Sequence, residues 1–333
     1  MLCAWGAWLW ESLALCLSGH CYVEEADDFV ASSIEALPPA LSCLSRLADL
    51  CLRGYSIEAS AAVALAAALR GLTALTRLHL CENQFRRNEL GDGGIRVLAP
   101  ALSHLSRLAE VSLRRNDLGA AGGAALAPAL AALTLLTALD LCANLLCEDG
   151  AEALVLVLSR LSRLVYLDLG HNGIKAAAAA ALARPLSTLI ALTALNLGCN
   201  SFDDAGAEAL APALGHLSRL ADLRLEQNRI GAAGAAALAQ PLGALTTLTR
   251  LDLSRNQFGD AGAEALAPAL SRLSHLQSLV MYFNSLTDKS LVRLAPALAC
   301  LTNLSELDLL GGNFSRDAVA HFRARLPGIR GIS

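Results

Sequence analysis

The chain is predicted to be an α/β solenoid, a horseshoe with a parallel sheet on its concave face, helices on its convex face, and 28-residue repeats that alternate in pairs. Three observations predict it. Asparagine recurs at Asn116, Asn144, Asn172, Asn200, Asn228, Asn256 and Asn284, each 28 after the last, with Asn83 before and Asn313 after slightly out of step. A fixed period of this length marks a solenoid, in which each unit buries its apolar face against its neighbours. Ahead of each asparagine runs LxxLxLxxN, as in Leu220, Leu223, Leu225 and Asn228, and its Leu-x-Leu step has a strand's period of two. Behind it comes a stretch such as GAAGAAALAQPL, rich in strong helix formers.

Strand, helix and strand again require parallel neighbours joined by crossovers. A parallel sheet covered on both faces reads as a continuous apolar run, yet Arg224, Asp252, Asp168, Asp140 and Asp308 sit between the leucines. One face of the sheet is therefore expected to meet water. Strands stack about 4.8 Å apart and helices about 8–10 Å apart, so the sheet takes the inside of an arc. At each strand's end the asparagine side chain offers donors and an acceptor and tolerates unusual backbone angles. The ladder from Asn83 through Asn116, Asn144, Asn172, Asn200, Asn228, Asn256 and Asn284 to Asn313 is thus expected to satisfy buried backbone groups, a structural role. Helices are expected to end or bend near their prolines, which remove a hydrogen bond.

The pairing of repeats shows in several residues at once. An LSxL connection (Leu44, Leu105, Leu161, Leu217, Leu273) alternates with an LT-containing one (Leu72, Leu133, Leu189, Leu245, Leu301), and Glu152, Glu208 and Glu264 recur every 56 residues. Two departures break the period. CENQFRRNELG carries a five-residue insertion between Leu80 and Leu90, and LLGGNF adds one residue before Asn313, read as a bulge ahead of a C-terminal cap.

Composition bounds the rest. Hydrophobic residues make up 55% of the chain and aromatic ones 4%, so the core is built from many small aliphatic contacts, each buried Leu worth roughly 1.5–3 kcal/mol. The net charge is −4 with basic residues dispersed, which leaves no electrostatic footprint for nucleic acid. The ten cysteines fall at unrelated repeat positions without metal-ligand spacing, pointing to free thiols in a reducing compartment, the cytoplasm. The opening MLCAWGAWLWESLALCLSGHC lacks a basic start, is interrupted by Glu11, and is too short to span a bilayer. Leu15, Leu17 and His20 share the spacing of Leu50, Leu52 and Tyr55, so residues 1–31 are read as a degenerate capping unit, with a secretion signal as the alternative. Residues 32–315 form the solenoid, and 316–333 a capping helix and tail.

The pattern LxxLxLxxNxL(G)xxG with an AxxLAxAL helix, carried from about Ser32 to Leu326, resembles the leucine-rich repeats of the ribonuclease-inhibitor-like type. That type also occurs in Ran GTPase-activating proteins and in the sensor regions of NOD-like receptors. The resemblance implies a non-catalytic module, a scaffold or receptor segment, that holds a protein partner on the concave face. Two alternatives share the resemblance. One is a GTPase-activating protein completing a partner's catalytic site, although the acidic tail of that family is missing where this sequence ends RARLPGIRGIS. The other is a sensor fragment of a NOD-like immune receptor, although the nucleotide-binding module of such receptors is not in this sequence.

No GxxxxGK[ST], HExxH or metal-spaced Cys/His cluster occurs, and Lys175 and Lys289 are the two lysines. The expectation is no catalytic residues, no metal and no cofactor. The sequons at Asn303 and Asn313 fall at strand and turn positions, where chance accounts for them. What remains is the open face. Arg250, Arg255, Tyr282 and Phe283 gather the residue types enriched at binding hot spots, with Arg224 and Asp252 beside them, while Arg77, His79, Arg114 and Arg115 form a basic patch next to the insertion. The middle, with Ala138, Cys142, Gly170, Ala194 and Gly198, is expected to be shallow and featureless. The expected partner is a protein of unknown identity, bound by a chain that is monomeric alone and needs no membrane, with binding energy concentrated toward the C-terminal third.

Overall fold

Each repeat extends its backbone for three residues, and the central one is the leucine, or once a valine, that the pattern points inward. The computed structural model describes Leu41, residues 44–52, Ile57, and residues 59–81 and 90–326. The cap over 1–31, the insertion, Asn83, Arg53 and the last seven residues fall outside the described residues. The chain divides into two compact units, the first ending at Leu146 and the second beginning at Cys147, and the sequence period runs through that boundary unbroken.

The first unit contains β1 (Asp49–Cys51), α1 (Ala59–Leu69), β2 (Arg77–His79), α2 (Gly91–Leu102), β3 (Glu110–Ser112), α3 (Ala120–Ala132) and β4 (Ala138–Asp140). Its strands are parallel in sequence order, with Leu50, Leu78, Val111 and Leu139 in one register row. All four are buried.

The second unit contains α4 (Cys147–Leu158), β5 (Tyr166–Asp168), α5 (Ala176–Thr188), β6 (Ala194–Asn196), α6 (Asp203–Leu214), β7 (Asp222–Arg224), α7 (Ala232–Ala244), β8 (Arg250–Asp252), α8 (Gly259–Leu270), β9 (Ser278–Val280), α9 (Asp288–Leu298), β10 (Glu306–Asp308) and α10 (Arg316–Arg325). Strands β5 to β10 are again parallel in order. Successive helices pack on one another along the row. Pro185, Pro212, Pro241, Pro268 and Pro296 lie near their helices' ends, and each helix stops two or three residues later. Carbonyls in the last turn of a helix have no intrahelical N–H to accept from, and the Thr188 and Ser271 hydroxyls donate to those of Pro185 and Pro268 at 2.7 and 2.9 Å.

The asparagines at the strand ends are buried from Asn172 to Asn284. From Asn200 to Asn284 each turns its amide nitrogen onto carbonyls of its own and the preceding repeat, as Asn200 Nδ2 does to Leu197 at 3.0 Å and Leu169 at 3.1 Å. The amide oxygen is where the paired repeats diverge. Asn172 and Ile174 both donate their backbone N–H to Asn200 Oδ1 at 3.0 Å, and Asn228 and Ile230 do the same to Asn256 Oδ1. Asn228 Oδ1 receives no donor, and Asn284 Oδ1 receives one, the Asn256 N–H at 3.1 Å.

The backbone supplies the reason. The residue before each asparagine is left-handed throughout, but the second left-handed residue follows by one at Gly173, Arg229 and Ser285 and by three at Asp203 and Gly259. The earlier reversal folds two N–H groups toward the next asparagine. Asn313 stands outside this ladder: it is exposed, and its own N–H donates to the Leu286 carbonyl at 2.8 Å. The extra residue at Gly311 and Gly312, with Gly311 at φ 77°, moves it out of step.

Helix starts are capped from the preceding repeat. Gly231, which has no side chain to cap α7, donates its N–H to Asp204 Oδ1 on α6 at 2.6 Å, and Gly234 donates to the same oxygen at 2.9 Å. Asp92 serves Gly119 and Gly122 in the first unit, and Asp260 and Asp288 serve Thr287 and Ser315 in the second. Carboxylates so placed also meet the positive end of the helix dipole.

Candidate protein-binding face

Side chains flanking the central leucine of each strand point away from the core, and in the second unit many of them are already committed to the protein. Asp168 Oδ1 accepts from the Gly170 N–H at 2.9 Å, while its Oδ2 accepts from Asn196 Nδ2 at 3.0 Å and the Tyr166 hydroxyl at 3.1 Å. Asp252 Oδ1 accepts from the Ser254 N–H and hydroxyl at 2.9 and 2.6 Å, and Asp308 from the Leu310 N–H at 2.9 Å. Each of these carboxylates closes a turn two residues on. Asp252, expected to face a partner, is thus an acceptor for its own strand end. Arg224 forms a two-pronged pair with Asp222 at 3.3 Å on both arms, and Arg250 reaches the same carboxylate at 3.9 Å.

Arg255 is arranged differently. Its backbone N–H bonds to the Tyr282 carbonyl at 2.8 Å, which sets its side chain beside the two aromatic residues. The guanidinium carbon lies 5.4 Å from the Tyr282 ring centre and 5.3 Å from that of Phe283, and Nε reaches the Tyr282 hydroxyl at 3.4 Å. The rings meet edge to face at 5.5 Å. Phe283 rests where a Cβ on Gly311 would stand, and its N–H bonds to the Leu310 carbonyl at 2.8 Å. Phe283 and Leu310 are both 47% exposed.

The middle of the face is not featureless. Gly198 has no side chain, and the Glu226 carboxylate occupies the space its Cβ would take. Burial pushes the Glu226 carboxyl up to about 7, with repulsion from Asp252 and Asp168 adding to it and Arg224 opposing it. Glu226 Oε2 is buried without a hydrogen-bond partner. Next to it, burial and then the charge of Glu226 push the Cys199 thiol up to about 11, the wrong direction for a nucleophile, which needs its thiolate. The dent lined by Tyr166, Asp168, Ala194, Asn196, Asp222 and Arg224 holds about 30 Å³, far below the roughly 300–1,000 Å³ of small-molecule sites. A larger groove of about 620 Å³ lies on the helix side, lined by Ala211, Pro212, Gly215, Ala237 and Pro241 among others.

A leucine-rich repeat family model matches residues 162–183, 191–211 and 244–267. These stretches are leucine-rich repeats. Comparison with curated proteins finds no match. Among solved structures the chain is similar to an internalin (inlF) of Listeria monocytogenes str. 4b F2365, at 19% identity over 92% of this chain and 94% of that one, with a TM-score of 0.46. It is also similar to an internalin C2 (inlC2) of the same organism, at 22% identity over 67% of this chain and 80% of that one, with a TM-score of 0.45.

The first unit carries the other group of expected site residues. Arg77 is paired with Asp49 at 2.6 Å, and His79 with Glu110 at 3.0 Å, so acids on neighbouring strands offset the basic patch. Arg114 is half-buried and Arg115 exposed. The residue missed by sequence reading is Glu226. Its signal was present, because two glycines at 170 and 198 in a column of larger residues leave room for side chains from the next repeat. No helix among the described residues is long and apolar enough to cross a membrane.

Proposed function

We propose that this chain is a non-catalytic protein-interaction module that binds a protein partner on the open face of its sheet, with Arg255, Tyr282 and Phe283 at the centre of the contact. The observation that carries this reading is the Arg255 guanidinium held 5.3–5.4 Å from the centres of two aromatic rings, with Phe283 and Leu310 exposed beside it. Arginine and large aromatics in a fixed geometry give contact area at low entropic cost. The shallow face supports a macromolecular partner over a small molecule. The finer assignment to the ribonuclease-inhibitor-like type rests on the 28-residue period and the helix in every repeat, and the cytoplasmic placement rests on the cysteine pattern.

The test is affinity capture followed by binding measurements on the captured protein. Tyr282→Ala should weaken binding by at least about 1 kcal/mol, while Arg77→Ala, in the first unit, should leave it unchanged, with circular dichroism confirming both folds. The reverse ranking would move the binding site to the basic patch.

A further inference from the structure

We infer that the Arg255 cluster recognises an internal Asp or Glu side chain that sits beside an aromatic or large aliphatic residue in an exposed segment of the partner. The inference rests on the binding reading above and adds the chemistry of what is bound. Charge complementarity selects the acid. Among the described residues no carboxylate lies within ion-pair distance of Arg255, although the sheet around it is rich in carboxylates.

The structure shows why the neighbours fail to neutralise it. Asp252 is held by Ser254, Asp308 by the Leu310 N–H, and Asp222 by Arg224. Any of these three acids that swung toward Arg255 would leave a backbone or guanidinium donor unpaired, and the Glu226 carboxylate lies instead over Gly198 of the preceding repeat. Arg255 is therefore left to the two rings, with its guanidinium carbon 5.4 and 5.3 Å from their centres. With Nε turned to the Tyr282 hydroxyl, the two terminal nitrogens of the guanidinium offer a fork, the geometry that pairs with a carboxylate through two parallel hydrogen bonds.

Apolar contact comes from the same cluster. Phe283 is fixed over Gly311, and Leu310 on the adjoining repeat is equally exposed, so a residue flanking the partner's acid meets a ring and an aliphatic side chain. Arg250, 61% exposed and only 3.9 Å from Asp222 at its nearest, supplies a second cation for a longer acidic segment. Other sources of negative charge fit less well. Capture of a C-terminal carboxylate uses converging backbone N–H groups, and phosphate recognition uses a cluster of arginines. The N–H groups of Ser254 and Leu310 are already taken by their own aspartates, and Arg224 by Asp222. The net charge of −4 disfavours nucleic acid.

The experiment uses the full chain, as wild type and as Arg255→Ala, Arg255→Lys and Phe283→Ala, against a displayed library of short linear peptides. Enriched peptides are then synthesised and measured by fluorescence anisotropy. Wild type should enrich peptides with Asp or Glu within two positions of a large apolar residue. Changing that acid to its amide should weaken wild-type binding about tenfold and leave Arg255→Ala binding unchanged. Arg255→Lys, which keeps the charge and loses the fork, should fall between the two and covers the case in which the alanine variant folds poorly.

Basic or uncharged consensus peptides would overturn the inference, as would an equal effect of the amide change on wild type and Arg255→Ala. Loss of binding on amidating only the C-terminus, or a large gain from phosphoserine in place of the acid, would reassign the source of charge and overturn it too. If no peptide is enriched while a captured protein partner still depends on Tyr282, this inference fails and the binding reading above stands.

Discussion

Asn200→Ala should destabilise the chain markedly more than Asn228→Ala, although the two asparagines occupy the same place in adjacent repeats and both are at least 96% buried, at 4% and 0% exposure. The two N–H of each Nδ2 are shared among three carbonyls: for Asn200 those of Leu169, Leu197 and Gly198, and for Asn228 those of Leu197, Leu225 and Glu226. Losing that donor costs the two variants similar amounts, since under-satisfied carbonyls are tolerated better than orphaned N–H groups. The oxygens differ. Asn200 Oδ1 accepts from Asn172 and Ile174, whereas Asn228 Oδ1 accepts from neither neighbour. Each buried donor left without a partner costs about 1–3 kcal/mol, so the gap between the variants should be roughly 2 kcal/mol or more. Urea denaturation followed by circular dichroism measures it. Because repeat arrays can unfold in parts, amide hydrogen exchange at Asn172 and Ile174 should be read alongside and should accelerate in Asn200→Ala. Equal losses in the two variants, or unchanged exchange at those amides, would refute the alternating role of the asparagine oxygen.

Three further outcomes follow from the same structure. Gly259 is left-handed at φ 56°, and a Cβ there would meet only the Ser285 carbonyl oxygen, at an unstrained 3.9 Å, so Gly259→Ala should cost about 1 kcal/mol through backbone conformation alone. Gly259→Asn should cost less, and an equal or smaller cost for alanine in thermal unfolding would remove the conformational argument. Gly198→Ala places a methyl group where the Glu226 carboxylate lies. A double-mutant cycle with Glu226→Ala should show coupling of about 0.5–3 kcal/mol, and strict additivity would mean that the two residues do not share that space. Glu226 itself makes stability depend on pH. Its carboxyl titrates near 7 in the folded chain against an ordinary 4.5, so between those values the folded state holds a proton that the unfolded state has released. Stability should fall as pH rises through that window and level off above it. Glu226→Gln should flatten the decline in denaturation midpoint between acid and neutral pH, and a slope identical to wild type would show that another group carries it.

The repeat period, the parallel strands, the inward leucines and the buried asparagines from Asn172 to Asn284 were legible in the sequence, because in a solenoid residues 28 apart become neighbours. Reading Leu195, Leu223 and Leu251 along the chain is reading one row of the sheet. The paired alternation was also visible as a change in connecting residues. Its backbone meaning was not, since Asp203 and Cys199 adopt left-handed geometry that glycine would otherwise mark. Polar side chains were least legible of all. Sequence lists Asp204, Asp252 and Arg255 as similar exposed charges, yet one caps the next helix, one closes its own strand's turn, and one lies unneutralised on two rings. An apolar side chain has one destination, away from water, so its pattern is enough to place it. A charged one is placed by whichever donor or ring happens to stand within about 3–6 Å of it, and those groups arrive from the adjacent repeat only when the chain has folded.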